Sequence, residues 1–241
     1  MARLERMAYP GRLIVLGRAA PGRSVVVLYA VTGRSPSSQA RRLVGDGRAV
    51  WTQPTDPDVL KTGNPDLLVY PAIMIGKGIA VGNGRQTADI DPDGEGNPAD
   101  ALERGLSDWS YEPDAPIYTP RISGCILPSG RAALAVLRRS AEGEVLRSYY
   151  EIPLASGRGR FVATYAGENR DPVPAFKDEP QEIGLAYATA RDAAEAAYAA
   201  LGPSEEGGRD FRVAVACLFA DPDDLSRFEL HIINREERKR P

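Results

Sequence analysis

Apolar positions in this chain fall in runs more often than they alternate. Leu13-Ile14-Val15-Leu16 and Val25 through Val31 are almost continuously apolar and rich in β-branched residues. That is the composition of strands covered on both faces, and Pro21-Gly22 between them predicts a hairpin. A polar turn dense in hydrogen-bond donors follows from Thr32 to Arg42, then a Pro/Asp-rich connection over residues 52–66. Leu67–Tyr70 and Ala72–Ile75 predict strand, and Lys77-Gly78 turns the chain into Ile79-Ala80-Val81. Gly82-Asn83-Gly84 then has the composition of a type I′ hairpin turn. Residues 85–97 are acidic and rich in Gly and Pro, hence loop. Asn97 and Pro98 read as the N-cap and first position of a helix reaching about Trp109. Pro113 and Pro116 keep the next segment out of helix.

Strand patterns return at Ile122–Leu127, Ala132–Arg138, Glu144–Ile152 and Gly159–Ala166, with a loop from Pro172 to Pro180. Leu185, Ala188, Ala193, Ala196 and Ala197 recur at helical spacing, predicting an Ala-rich helix over Glu182–Leu201 that packs on a sheet. Phe211–Phe219 and Arg227–Ile233 complete the strands, and the basic residues of 235–241 read as a solvated tail. Many antiparallel-type strands interrupted by two helices make an α+β pattern, not a wound βαβ sheet. With no repeat and no long linker, residues 1–241 read as a single domain.

Composition narrows the chemistry. Apolar residues are 43% and charged residues 26% of the 241, the balance of a soluble globular protein. No apolar run approaches the roughly 18 residues of a membrane helix, and Met1–Arg6 lacks the apolar stretch of a secretion signal, so a cytoplasmic protein with no membrane partner is expected. His231 is the single histidine, which excludes sites built on several histidines. Cys125 and Cys217 each sit in an apolar stretch and read as buried reduced thiols, although a distant pair could meet in space. No common metal or phosphate-loop motif occurs, so no metal is expected.

A formal net charge of −3 gives no general attraction to nucleic acid. The charge is unevenly spread, however. Residues 1–48 carry nine arginines against two acids, and residues 85–120 carry nine acids against two arginines. These segments either face each other across one cleft or form separate solvated surfaces.

Tyr9-Pro10-Gly11-Arg12, Gly17-Arg18, Thr32-Gly33-Arg34-Ser35, Tyr70, Gly82-Asn83-Gly84, Tyr111-Glu112-Pro113-Asp114 and Thr119-Pro120-Arg121-Ile122 occur in that order. In this collinear set, and more weakly in Thr164-Tyr165-Ala166-Gly167, the chain resembles the archaeal-type inosine monophosphate (IMP) cyclohydrolases and their bacterial relatives. The resemblance implies a four-layer α-β-β-α sandwich of the N-terminal-nucleophile hydrolase type with antiparallel sheets. It implies closure of 5-formamidoimidazole-4-carboxamide ribonucleotide (FAICAR) to IMP with loss of water, in purine biosynthesis. A small-molecule purine ribonucleotide is then the substrate, no cofactor is needed, and a homo-oligomer is expected. The chain departs from the archaeal pattern at Gln39, where that pattern has an arginine; Arg41 and Arg42 follow immediately.

Ring closure needs a base near the carboxamide and a proton donor at the formyl oxygen, with positioning a large part of the work. The resemblance assigns these roles to Tyr70, at a strand end, and Glu112, in the Pro-rich loop. Arg34, Ser35 and Arg41 are the expected substrate-binding residues of the polar turn, with guanidinium groups suited to a 5′-phosphate or to the carboxamide. Asn83 is expected to meet the base ring, and Arg121 to hold Glu112 ionised or touch substrate. Each has a structural alternative: Tyr70 as a core tyrosine, Glu112 as a surface acid, Asn83 as a turn residue. Two other functions stay open, a non-catalytic purine-nucleotide-binding protein and an amide hydrolase. The latter needs Thr, Ser or Cys as its first residue, and removing Met1 would expose Ala2.

Overall fold

The apolar runs become two antiparallel sheets that share one core. The computed structural model describes residues 1–58, 65–203 and 208–238. The first sheet has six strands in the order β11-β10-β1-β2-β12-β13, and the second has seven in the order β3-β4-β5-β6-β7-β8-β9. β1 (Arg12–Arg18) and β2 (Val25–Thr32) form the predicted hairpin, with Ile14 opposite Tyr29. β10 (Arg158–Ala163) and β11 (Gln181–Gly184) extend the sheet beyond β1, and β12 (Arg212–Asp221) and β13 (Asp224–Asn234) extend it beyond β2. The second sheet runs from β3 (Arg41–Gly45) and β4 (Ala49–Pro54) through β5 (Tyr70–Ile75) and β6 (Ile79–Gly82) to β7 (Arg121–Ile126), β8 (Ala132–Arg139) and β9 (Val145–Ile152).

Alternation sorts the side chains of β7 and β8 between two environments. Ile122, Ile126, Leu134 and Val136 join Leu13–Leu16 and Val25–Val31 in the main core, while Cys125, Ala133, Ala135 and Leu137 belong to a second cluster with Leu102 and Leu106. That second cluster lies under the helix Pro98–Gly105, which packs on β7, β8 and β9. Ala190, Ala193, Ala194 and Ala197 of the helix Ala190–Ala200 bury against β12, β13 and β2. A helix thus packs on each sheet. Small alanines let the second helix approach closely, and Thr189 caps it by accepting from the Asp192 N–H at 3.1 Å.

Several boundaries differ from the sequence expectation. The polar turn ends at Gln39 with α1 (Pro36–Gln39), and two further strands, β3 and β4, follow it. Their half-buried patterns lack the long apolar run that marks β1 and β2. Residues 59–64 of the Pro/Asp-rich connection lie outside the described residues. α2 (Pro65–Leu68) replaces the start of the expected strand, which begins at Tyr70. α3 (Pro98–Gly105) starts where expected, with the Asn97 side chain accepting from the Ala99 N–H at 2.7 Å, but stops before Trp109. Of the span read as one helix over 182–201, Gln181–Gly184 is strand and only α4 (Ala190–Ala200) is helix, because the alanine spacing becomes dense only after Thr189. The expected basic tail begins as α5 (Arg235–Arg238), tied to the body of the protein; residues 239–241 lie outside the described residues.

Gly82-Asn83-Gly84 is not a hairpin turn. The β5–β6 hairpin turns at Gly76–Gly78, and Gly82 leads out of β6 into a 3-10 turn at Arg85–Asp89. Freed from turn duty, Asn83 points its side chain inward. Both cysteines are buried and free, as expected. No helix among the described residues is long and apolar enough to cross a membrane.

Candidate active site

Arg12 opens β1 and is 9% exposed. Gly11 before it adopts φ +73°, and a Cβ there would lie 2.1 Å from Thr164 Oγ1. The tight backbone approach lets the Arg12 N–H donate to Thr164 Oγ1 at 3.1 Å and fixes where the side chain enters the core. Its guanidinium pairs with Glu112, also buried, through Nη2 and Oε1. The arginine-rich and acidic segments therefore do meet at this pair. Burial works against the Arg12 charge, yet Glu112, with Tyr70, Tyr165 and Tyr29 around it, carries the guanidinium well above its ordinary pKa.

Glu112 is held by its loop. Its N–H donates to the Thr119 carbonyl at 2.8 Å, and Asp114 accepts from both the N–H (2.7 Å) and the hydroxyl (2.5 Å) of Thr119. The Thr119 hydroxyl has thus spent its proton, so it accepts from Tyr165 at 2.7 Å. This ring of bonds pins the Pro-rich loop to the first sheet.

Asn83 orients the other side of the carboxylate. Its Oδ1 accepts from the Ile122 backbone N–H at 2.8 Å, which can only donate, so the amide has one permitted orientation. Nδ2 must then face Glu112 Oε1 (3.2 Å) and the Pro120 carbonyl (3.0 Å). Gln86 extends the chain, donating to Asn83 Oδ1 at 3.0 Å and accepting from Arg121 Nη1 at 2.9 Å. Gly84 leaves room for this, since a Cβ there would fall 2.4 Å from Arg121 Nη1. Arg121 also donates from Nε to the Ser110 carbonyl and lies 4.7 Å over the Trp109 ring. Burial lowers the Arg121 pKa, outweighing the attraction of Glu112. Both bonds to Glu112 use Oε1; Oε2 has no hydrogen-bond partner among the described residues.

Tyr70 begins β5 and is 1% exposed. Its hydroxyl lies 2.9 Å from that of Tyr29 on β2, across the space between the sheets. Burial, reinforced by Tyr70, holds the Tyr29 phenol well above its ordinary pKa, against the pull of Arg12 and Arg41. Tyr70, Tyr29, Arg12, Glu112, Asn83 and Arg121 thus surround one polar island contributed by both sheets. Among the described residues no group of three or more His, Cys, Asp or Glu side chains is arranged to hold a metal ion.

The pattern of the family described as IMP cyclohydrolase-like protein matches residues 9–216, which include every one of these groups. The chain belongs to that family. Two proteins named IMP cyclohydrolase, from the R1 and NRC-1 strains of Halobacterium salinarum, are each 33% identical to it over 194 residues, 80% of this chain and 85% of theirs.

The remaining expected residues of this IMP cyclohydrolase-like chain are spread along the polar turn. Arg41 is 5% exposed and interacts electrostatically with Tyr29, which joins it to the island. Arg34 stands apart: it pairs with Asp171 at 2.7 Å and lies 5.4 Å from the centroid of the Tyr9 ring. Ser35 is exposed, and its Oγ caps α1 by accepting from the Ser38 N–H at 3.1 Å. Arg12, Tyr29 and Gln86 carry much of the geometry but were not among the expected site residues. Arg12 stood in a quoted motif, Tyr29 inside an apolar run and Gln86 in an acidic loop, and no local signal gives any of them a partner.

Proposed function

We propose that this protein is an IMP cyclohydrolase that closes FAICAR to IMP with loss of water, in purine biosynthesis. The observation that carries the reading is the pairing, in one buried island, of a carboxylate with one free oxygen and a phenol held by a second phenol. In the reaction the carboxamide nitrogen attacks the formyl carbon and forms the new C–N bond. The formyl C–O bond then breaks and its oxygen leaves as water. The two protons lost come from the carboxamide and formamide nitrogens, the first carried by Glu112 and the second restoring Tyr70, so atoms and charge balance without a redox partner. Glu112 takes a carboxamide proton on Oε2 while Arg12 and Asn83 hold Oε1. Tyr70 gives its proton to the formyl oxygen while the Tyr29 hydroxyl donates to it from behind. Arg121 steadies Asn83 through Gln86, and Arg34, Ser35 and Arg41 serve the ribose-phosphate side. General acid–base groups of this kind contribute roughly 10²–10⁴-fold, the remainder coming from holding the two reacting groups together.

The finer architectural reading is a single domain over residues 1–241 with the α-β-β-α layering of the N-terminal-nucleophile hydrolases. A cytoplasmic homo-oligomer acting without a cofactor completes the proposal. The deciding experiment incubates the purified full-length protein with FAICAR and no added metal or cofactor, following IMP by absorbance and chromatography. IMP formation above the uncatalysed rate supports the reading. Protein that binds IMP but never turns over FAICAR would replace it with a nucleotide-binding role.

A further inference from the structure

A cavity of about 110 Å³ is lined by Gln39, Arg41, Thr55, Val213, Arg235 and Glu236; Arg41 starts β3, two strands from Tyr70 on β5. It is a small, partly open pocket with room for a phosphate group. Arg41, 5% exposed, donates from Nε to the Ser38 carbonyl at 3.0 Å, and its two terminal nitrogens have no hydrogen-bond partner among the described residues. A buried guanidinium with its fork unused is a binding group for an anion.

Arg235, nearly 200 residues further along, enters the same cavity from the start of α5. Its Nη1 donates to the Asp210 carbonyl and its Nη2 to Gln39 Oε1, both at 3.2 Å. Neither acceptor carries a charge. The Asp210 carboxylate is occupied by Arg212, with both its oxygens 2.9 Å from guanidinium nitrogens. Glu236 also lines the cavity and lies 3.9 Å from Arg42, which offsets it. Gln39 is itself fixed, donating from Nε2 to the Gly33 carbonyl at 2.9 Å and the Asp210 carbonyl at 3.4 Å, so its oxygen must turn toward Arg235. Gln39 therefore aims a guanidinium borne by the C-terminal helix. Arg41 in turn acts electrostatically on Tyr29, whose hydroxyl meets Tyr70.

We infer that Arg235 is a substrate-binding residue which, with Arg41, receives the phosphate monoester of the nucleotide, and that Gln39 is its positioning residue. The inference rests on the nucleotide reading above, and the test separates the two. Calorimetric titration of the full chain with ribose 5-phosphate, IMP and inosine is compared for the wild type, Arg235→Met and Arg235→Gln. Loss of charge-assisted bonds predicts that both variants bind ribose 5-phosphate and IMP about tenfold or more weakly. KM for FAICAR rises by a similar factor while kcat stays within about twofold. Gln39→Leu, which leaves Arg235 unaimed, is expected to show the same pattern more weakly. Wild-type-like binding of ribose 5-phosphate and IMP by both Arg235 variants overturns the inference. So does a wild type that binds inosine as tightly as IMP. Should either variant unfold, the other carries the test. A wild type that binds ribose 5-phosphate at this cavity yet never converts FAICAR defeats the cyclohydrolase reading and leaves the phosphate site standing.

Discussion

The hydroxyls of Tyr29 and Tyr70 meet 2.9 Å apart although their strands belong to different sheets. Either hydroxyl can donate to the other; the proposed mechanism uses the arrangement in which Tyr29 donates and the hydrogen of Tyr70 is left for the substrate. Tyr70→Phe removes the proposed donor and is expected to lower kcat by about 10²-fold or more. Tyr29→Phe leaves that donor without its support and is expected to cost about tenfold, the worth of one hydrogen bond. Steady-state turnover of FAICAR checks both; an equal and negligible effect of the two substitutions removes the phenol pair from the mechanism.

Arg12 and Glu112 are each buried and bound to the other, so removing one strands the other's charge. Arg12→Met is expected to destabilise the fold by about 3–5 kcal/mol, measured by urea unfolding. The double variant Arg12→Met/Glu112→Gln, with no charge left unpaired, recovers a large part of that stability and none of the turnover. Additive losses in the double variant would contradict the pairing.

Asn83 presents a donor to Glu112 only because the Ile122 N–H has claimed its oxygen. Asn83→Asp keeps the shape but sets two carboxylates against each other. Its kcat is expected to fall by about tenfold or more near neutral pH and to recover partly as pH falls, when one carboxyl regains a proton to donate. A pH–rate profile parallel to that of the wild type would deny Asn83 this role.

Burial pushes both the Cys125 thiol and the Tyr165 phenol up to about 12, whereas in the unfolded chain such groups titrate near 8.5 and 10. The unfolded state therefore loses these protons first. The contribution to stability is full below about pH 8.5 and is lost as pH rises toward 12. Urea midpoints are expected to decline through this window, with a shallower slope in Cys125→Ala. An unchanged slope would mean that the thiol ionises equally well in both states.

Tyr70, Glu112, Asn83 and Arg121 were legible because they stand in an ordered set of motifs that resembles the family's, and the structure brings all four into one polar island. What Asn83 does was not legible, since Asn between glycines also satisfies a hairpin turn. The bond from Ile122 that decides between the two comes from 39 residues away. Arg12 and Glu112 are 100 residues apart, and charge asymmetry suggested only that their segments attract. β1 and β2 were plain from continuous apolar runs buried on both faces. β3 and β4 were not, because their part-exposed edge positions dilute the same signal.

Since Arg12 and Tyr29 hang from one sheet while Tyr70 and Asn83 hang from the other, neither half of the sandwich owns a working constellation. If these groups carry the proposed reaction, turnover requires the two sheets to be docked. The appearance of activity after dilution from denaturant would then report when the two sheets have come together, which no signal from either sheet alone can do.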